Sequence, residues 1–217
     1  MIKIENSEVI GWEHAIRGMR NPMNSWDKSD SEFVDVFEDA ENLRNYYISS
    51  AELGDNDLDL MTRLVKAGTD HRKFMRMITV YADITAPLYW WKEYDTYKVG
   101  TVANSCSTMH KIHEKEFTVD DFSCEHLAGA AMNVLIDIVY WLNFYRDEFI
   151  AQKDKQDWWQ IIQLLPSSYN QKRTVMLNYE VLHNMYHSRK NHKLDEWHTF
   201  CDFIETLPYA KELIINE

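Results

Sequence analysis

The sequence predicts an α+β fold, with a mixed or antiparallel sheet flanked by helices and a mainly helical C-terminal half. Three observations carry this expectation. Residues 74–84 alternate, with Met75, Met77, Thr79, Tyr81 and Asp83 on one face and Phe74, Arg76, Ile78, Val80 and Ala82 on the other, the period of a strand. Leu127, Ala131, Leu135, Ile138, Leu142 and Tyr145 recur at steps of three and four, the period of a helix. Strand and helix signals mix in the N-terminal half, whereas the C-terminal half reads as helix after helix.

The elements follow in chain order. Ile2, Ile4, Val9 and Ile10 suggest a short first strand. Gly11 to Arg20 reads as a helix carrying Arg17 and Arg20, three apart and therefore on one face. Asn21-Pro22 and Asn24-Ser25 break it, and a loop runs on through Asp30. Asp55 or Asn56 is the capping residue for a helix over Leu58 to Lys66, with Gly68 as its stop. After the strand over 74–84, Pro87 opens an aromatic helix, Leu88 to Tyr94. Lys98 to His110 is small, polar and weakly periodic, a composition common in ligand-binding loops. Leu127 to Phe144 is interrupted by Asn133, Asp137 and Asn143 and reads as a buried core helix. A helix over Asp157 to Leu164 ends before Pro166, and Ser167 to Asn170 is a turn. Helices over Val175 to Arg189 and Asp195 to Thr206 close the chain.

Length and composition bound the function. A chain of 217 residues fits one domain over 1–217. With 45% hydrophobic residues, 8 Trp, 12 Tyr and 9 Phe it can bury a sizeable core, and 6 Gly and 4 Pro argue against a repetitive chain. A net charge of -12 repels phosphate backbones, so no nucleic-acid partner is expected. A small anionic ligand would need a local cluster of Arg and Lys set against that field. Cys106, Cys124 and Cys201 are odd in number and lack CxxC spacing, which suits a reducing compartment. The N-terminus carries no signal-peptide core, and no apolar run approaches the roughly 20 residues of a membrane span. The expectation is a cytoplasmic chain with no membrane partner.

Three segments carry candidate chemistry. Between Lys98 and His110 lie hydroxyls at Thr101, Ser105, Ser107 and Thr108, the amide of Asn104 and the thiol of Cys106. Hydroxyls and N–H groups on small residues hold phosphate, and a plain polar loop has the same composition. Cys106 would be a nucleophile if Lys98 or a helix N-terminus lowered its pKa, although a lone Cys is more often a packing residue. Lys172-Arg173, with Asn178, Asn184 and Arg189 behind it, is a basic cluster in an acidic chain. Arg forks suit phosphate and pyrimidine edges, while a solvated basic helix face is the commoner use. His110/His113 and His183/His187, with His192, have helical spacings, but without HExxH or a Cys partner no metal is expected. Trp90-Trp91 and Trp158-Trp159 read as core or interface.

In this order the segments resemble the flavin-dependent thymidylate synthases. In that family a helix ends in Arg-His-Arg and continues through Ser to Asn-x-x-Ser-x-Arg-Tyr. Here Ala86-Pro87 begins the matching helix, Lys98 stands at the third motif residue and Thr101 at the Ser. One inserted residue later, Asn104, Cys106 and Ser107 lie in the Asn-x-x-Ser pattern. Lys73-Phe74, Arg17-x-x-Arg20, Leu165-Pro166, Lys172-Arg173, Asn178, Leu182-x-Asn184, Arg189, His192 and Glu196-Trp197 follow the family order, so the likeness covers most of the chain. The departures are Thr96 and Tyr97 for the first Arg and the His, Met109-His110 for the late Arg-Tyr, and Glu180 for an Arg.

The resemblance implies a thymidylate synthase-complementing-protein-like fold and a homotetramer with active sites between subunits. It implies FAD, with NADPH and methylenetetrahydrofolate as co-substrates, and methylation of dUMP at C5. Lys98, Val99, Asn104, Asn178 and Asn184 would face flavin. Lys172, Arg173, Arg189, Ser105 and Ser107 would hold the nucleotide, with Ser107 and Cys106 as catalytic candidates and Arg17 and Arg20 in support. The alternatives on the same fold are another pyrimidine-nucleotide modification, such as hydroxymethylation, and non-catalytic nucleotide binding.

Overall fold

The computed structural model describes residues 2–37 and 47–215. Thirteen strands and helices organise the described chain. They are β1 (Lys3–Ile10), α1 (Trp12–Arg20), β2 (Glu32–Phe37), β3 (Tyr47–Glu52), α2 (Asp55–Lys66), β4 (Thr79–Pro87), α3 (Leu88–Tyr94), β5 (Val102–Ser105), α4 (Ala130–Gln152), α5 (Lys155–Leu164), β6 (Asn170–Asn178), α6 (Tyr179–Arg189) and α7 (Asp195–Glu205). A four-stranded antiparallel sheet has the order β1-β4-β6-β5, and β2-β3 pair separately. The α+β expectation holds, with helices flanking the antiparallel sheet.

β4 lies between β1 and β6 and buries Val80, Ala82, Ile84 and Ala86 at alternate positions. These meet Val175 and Leu177 of β6 and the fully buried Trp12, Trp90, Trp91 and Trp197 in the main core. The strand starts later than its alternation suggests. Residues 72–76 form a 3₁₀ turn, in which neighbouring Phe74 and Met75 are both buried. A strand sends neighbours to opposite faces, so two buried neighbours there require another backbone form.

The second correction is larger. Residues 170–178 were expected as a turn followed by the start of a helix, and they are instead a central strand. Each β6 residue from Asn170 to Asn178 pairs with β4, from Pro87 to Thr79. α6 begins only at Tyr179, because the Asn178 side chain accepts from the Val181 N–H (3.0 Å) and caps it. α2 also starts earlier than expected, at Asp55, and its cap comes from elsewhere in the chain. The Asp30 carboxylate accepts from the N–H groups of Asn56 (2.9 Å) and Asp57 (3.1 Å).

The expected buried helix, α4, is buried on one side only. Leu135 and Leu142 pack with Ile161 of α5, Phe117 and Phe122 in a second, smaller core. Val134, Ile136, Tyr140, Trp141, Phe144 and Ile150 are 40–62% exposed. Leu127 precedes the helix and is itself exposed. Among the described residues no helix is long and apolar enough to cross a membrane.

Arg17 and Arg20 share a helix but not an environment. Arg17 is exposed, whereas Arg20 is buried with its Nε donating to Asp57 Oδ1 at 2.6 Å. The other Asp57 oxygen accepts from the hydroxyls of Ser29 (2.8 Å) and Ser31 (2.7 Å) and from the Asp30 and Ser31 N–H groups. Burial works to raise the Asp57 pKa, but the bonds from Ser31, Ser29, Arg20 and Asp30 together outweigh it and hold it below 3.8. The pair ties α1, α2 and the segment before β2 together. Removing one partner leaves the other charge buried and alone, at a cost of about 3–5 kcal/mol. Asp57→Ala is therefore expected to lower urea-unfolding stability by that amount. Because the folded pKa is depressed, Asp57 stabilises at neutral pH, and its contribution is lost as pH falls below 3.8 through the folded value.

Candidate functional site

The edge strand β5 brings the polar segment onto β6. Ala103 pairs with Val175, Asn104 with Thr174 and Ser105 with Arg173. The ladder extends one step further, as the Cys106 N–H donates to the Lys172 carbonyl (2.9 Å) and Gln171 Nε2 donates to the Cys106 carbonyl (2.8 Å). Residues 98–107 and the Lys172-Arg173 pair, about seventy positions apart in sequence, thus meet at one sheet edge.

Lys172 and Arg173 do not act as a unit, because neighbours on a strand face opposite ways. Lys172 pairs with Asp83 (3.0 Å), which also accepts from Thr174 and Asn6. Hydrogen bonds from Thr174, Asn6 and Lys172 hold the Asp83 pKa down at about 2. Arg173 instead stacks on the Trp91 ring, 4.2 Å from its centroid. Its Nε donates to Gln171 Oε1 (3.0 Å) and its Nη1 to Asp95 Oδ1 (2.8 Å).

Asp95 opens onto a cleft of about 310 Å³ lined also by Tyr94, Tyr97, Lys98, Thr101 and Ala103. The second arginine reaches this cleft through Tyr97. Arg189 Nε donates to the Tyr97 hydroxyl (2.9 Å) and Nη1 to Glu93 Oε2 (2.8 Å), with the guanidinium 4.8 Å from the Trp197 ring centroid. Trp197 Nε1 donates to the same Glu93 oxygen (2.9 Å), and a His192 ring nitrogen lies 3.3 Å from it. Both arginines are therefore held rigidly, each with a carboxylate and an aromatic face. Lys98 has no hydrogen-bond or ion-pair partner among the described residues.

Asn178 secures the approach to the cleft. While its oxygen caps α6, its Nδ2 donates to the Gly100 carbonyl (3.3 Å). Gly100 has φ +78, and a Cβ there would lie 2.6 Å from Asn178 Nδ2. Val99 beside it is 89% exposed. Asn104, Ser105 and Cys106 are exposed, and Ser107 is half-buried with its Oγ accepting from the N–H groups of His110 (2.9 Å) and Met109 (3.3 Å).

Asn184 belongs to a separate cluster. Its oxygen accepts from Arg72 Nη2 (3.4 Å), while Arg72 Nε donates to Glu180 (3.0 Å) and Nη1 to His183 Nε2 (2.7 Å). His183 Nδ1 donates to the Ile214 carbonyl (2.9 Å), which His187 also meets. Burial first, then the charge of Arg72 and the neighbouring His187, pulls the His183 pKa down to about 4. These histidines anchor the C-terminal segment. Sequence reasoning missed Glu93, Asp95, Gln171 and Arg72. Glu93 and Asp95 carried a readable signal, as acids at the end of an otherwise aromatic helix, four and two residues before Tyr97. Arg72 carried none, because its partners lie more than a hundred residues away.

The antiparallel sheet and its flanking helices have the fold of the flavin-dependent thymidylate synthases. The crystal structure of thymidylate synthase X from Helicobacter pylori with FAD and dUMP superposes with a TM-score of 0.69 at 15% identity, covering 99% of this chain and 97% of that one. A second structure of that enzyme, complexed with FAD and dUMP, gives 0.67 at 14%, covering 98% and 97%. No family model matches the sequence, and no curated protein does.

Asn178→Ala removes a cap and the bond to Gly100 together. It is expected to cost about 1–2 kcal/mol in denaturant unfolding and to speed protease cleavage between Lys98 and Thr101. Gly100→Ala should produce the same cleavage with less loss of stability.

Proposed function

We propose that the chain, as one domain over 1–217, is a flavin-dependent thymidylate synthase-like enzyme. It binds dUMP at the β5–β6 edge and methylates C5, using FAD, NADPH and methylenetetrahydrofolate. The observation that supports this best is a cleft at the sheet edge with Lys98 in its wall, whose Asp95 is held by Arg173 and whose Tyr97 is held by Arg189.

Arg173 and Arg189 orient the nucleotide. Each spends Nε and Nη1 on protein partners, which leaves Nη2 to donate to a base or phosphate oxygen. Holding these groups in place beforehand lowers the ordering cost of binding. Two backbone N–H groups point at Ser107 Oγ, so its own O–H donates outward to the nucleotide, with Ser105 and the exposed Cys106 thiol beside it. Lys172 contributes charge from the opposite face, where Asp83 holds it.

The residues present fit a flavin in a reduced way. Among the described residues Lys98 is an unpaired cation, Asn104 and Asn184 have exposed amides, and Val99 offers exposed apolar surface. Asn178 acts by holding this loop. Arg72 is neutralised by Glu180, so Lys98 is the main charge facing a diphosphate. When bound, the flavin supplies the hydride that completes the methyl group.

A second reading, nucleotide binding without flavin chemistry, draws on Thr96, Tyr97 and Glu180 at positions where the family carries cations or His. Hydroxymethylation of a pyrimidine nucleotide is the third. The exposed apolar face of α4 supports assembly with further copies, in a homotetramer whose active sites lie between subunits.

Two measurements test these readings. FAD titrated into the purified protein is expected to bind saturably, and Lys98→Ala should weaken it at least tenfold, one charged hydrogen bond being worth roughly 1.5–3 kcal/mol. Arg173→Ala should weaken dUMP by a similar factor and leave FAD unchanged. No flavin binding with intact dUMP binding selects the non-catalytic reading, and the mass of the product from dUMP or dCMP separates methylation from hydroxymethylation. In sedimentation, Tyr140→Glu with Trp141→Glu should convert tetramers into smaller species, and an unchanged mass would contradict the role given to α4.

A further inference from the structure

A second cleft lies away from the β5–β6 edge, between the segment after Ser107 and the junction of α4 with α5. Its volume is about 300 Å³. Met109, His110 and His113 form one wall, and Phe149 and Lys153 of the α4 end with Lys155 and Trp158 of α5 form the other.

The walls are fixed by specific contacts. Trp158 Nε1 donates to the Met109 carbonyl at 3.0 Å, which ties the segment to α5. The His113 ring meets Phe149 edge-on, with centroids 4.9 Å apart. Lys153 ends α4 in the left-handed conformation (φ 58), its N–H donating to the Phe149 carbonyl at 2.9 Å. That turn brings its Nζ to 5.6 Å from the Phe149 ring centroid.

Two features point to a ligand. Among the described residues the cleft is lined by two lysines and two histidines with no carboxylate, in a chain holding 35 Asp and Glu against 23 Lys and Arg. Asp154, between the two lysines, has its carboxylate turned to the Gln156 N–H (2.9 Å) as the α5 cap. The second feature is His113 Nδ1, which is buried with no hydrogen-bond partner among the described residues. A buried polar atom left in this way is costly, and a turn of the ring toward the cleft would let a ligand pair with it.

We propose that this cleft binds a small planar aromatic anion. Its ring lies against Phe149 and Trp158, and its charged group faces Lys153, Lys155 and the His113 ring. The volume suits one or two fused rings, and stacking with charge pairing supplies both apolar and electrostatic contacts. Among the described residues the two clefts share no lining residue; their link is through the Met109 and His110 N–H groups, which donate to Ser107 Oγ, and the lysines and aromatic rings invoked here take no part in the nucleotide reading.

The probe is 2-naphthalenesulfonate, titrated calorimetrically into the full chain. One saturable site per chain is expected, weakened at least tenfold by Lys153→Gln with Lys155→Gln and weakened by His113→Phe. The thermal midpoint of the lysine double variant should stay that of the parent, so lost binding is not lost folding. The neutral 2-naphthalenesulfonamide and inorganic sulfate should each bind far more weakly, and dUMP should not displace the probe. Absence of a saturable site, affinity indifferent to the lysine variants, equal affinity for the sulfonamide or sulfate, or displacement by dUMP would each overturn the proposal.

Discussion

The pairing of β6 with β4 on one side and β5 on the other is the constraint on which the rest depends. Nine residues of β6 are matched one by one to β4, and four of them also to β5. A slip of one residue would turn every side chain to the other face. Arg173 would leave the Trp91 ring, and Val175 and Leu177 would leave the core. The same register decides that Asn178 ends the strand where it can cap α6 and hold Gly100. Core, helix start and cleft wall are thus consequences of one ladder.

That ladder also explains how an acidic chain maintains ordered arginines. Arg173 and Arg189 are each matched by a carboxylate and laid on an aromatic ring. A guanidinium lying on an indole with a single-sided ion pair keeps part of its fork free, so neutralisation and ligand binding are compatible. Glu93 gathers Arg189, Trp197 and His192 on one oxygen, linking α3, α6 and the start of α7 behind the cleft. The cost is a weaker field for a multiply charged ligand, with Lys98 as a cation of the cleft wall left uncommitted among the described residues.

How far the sequence revealed this depends on the range of each interaction. β1, α1, α3 and α7 were legible because local alternation, helical spacing and a Pro at the first turn are short-range signals. β6 was hidden because its strand runs directly into α6, so Val175, Leu177, Val181 and Leu182 look like one apolar helix. The environment of α4 was misjudged because periodicity reports an apolar helix without saying how many of its faces one chain covers. In the site, the residue types were readable and their partners were not. The separation of Lys172 from Arg173 needs the strand assignment, and the pairing of Arg72 with Glu180 needs the fold.

The central claim is that a pyrimidine nucleotide sits against the β5–β6 edge, and amide hydrogen exchange with and without dUMP tests it most directly. The account predicts slower exchange in residues 98–107 and at Lys172–Arg173 when dUMP is added, with β1 and α2 unchanged. Unaltered exchange across 98–107 at saturating dUMP, or protection confined to another part of the chain, would contradict it.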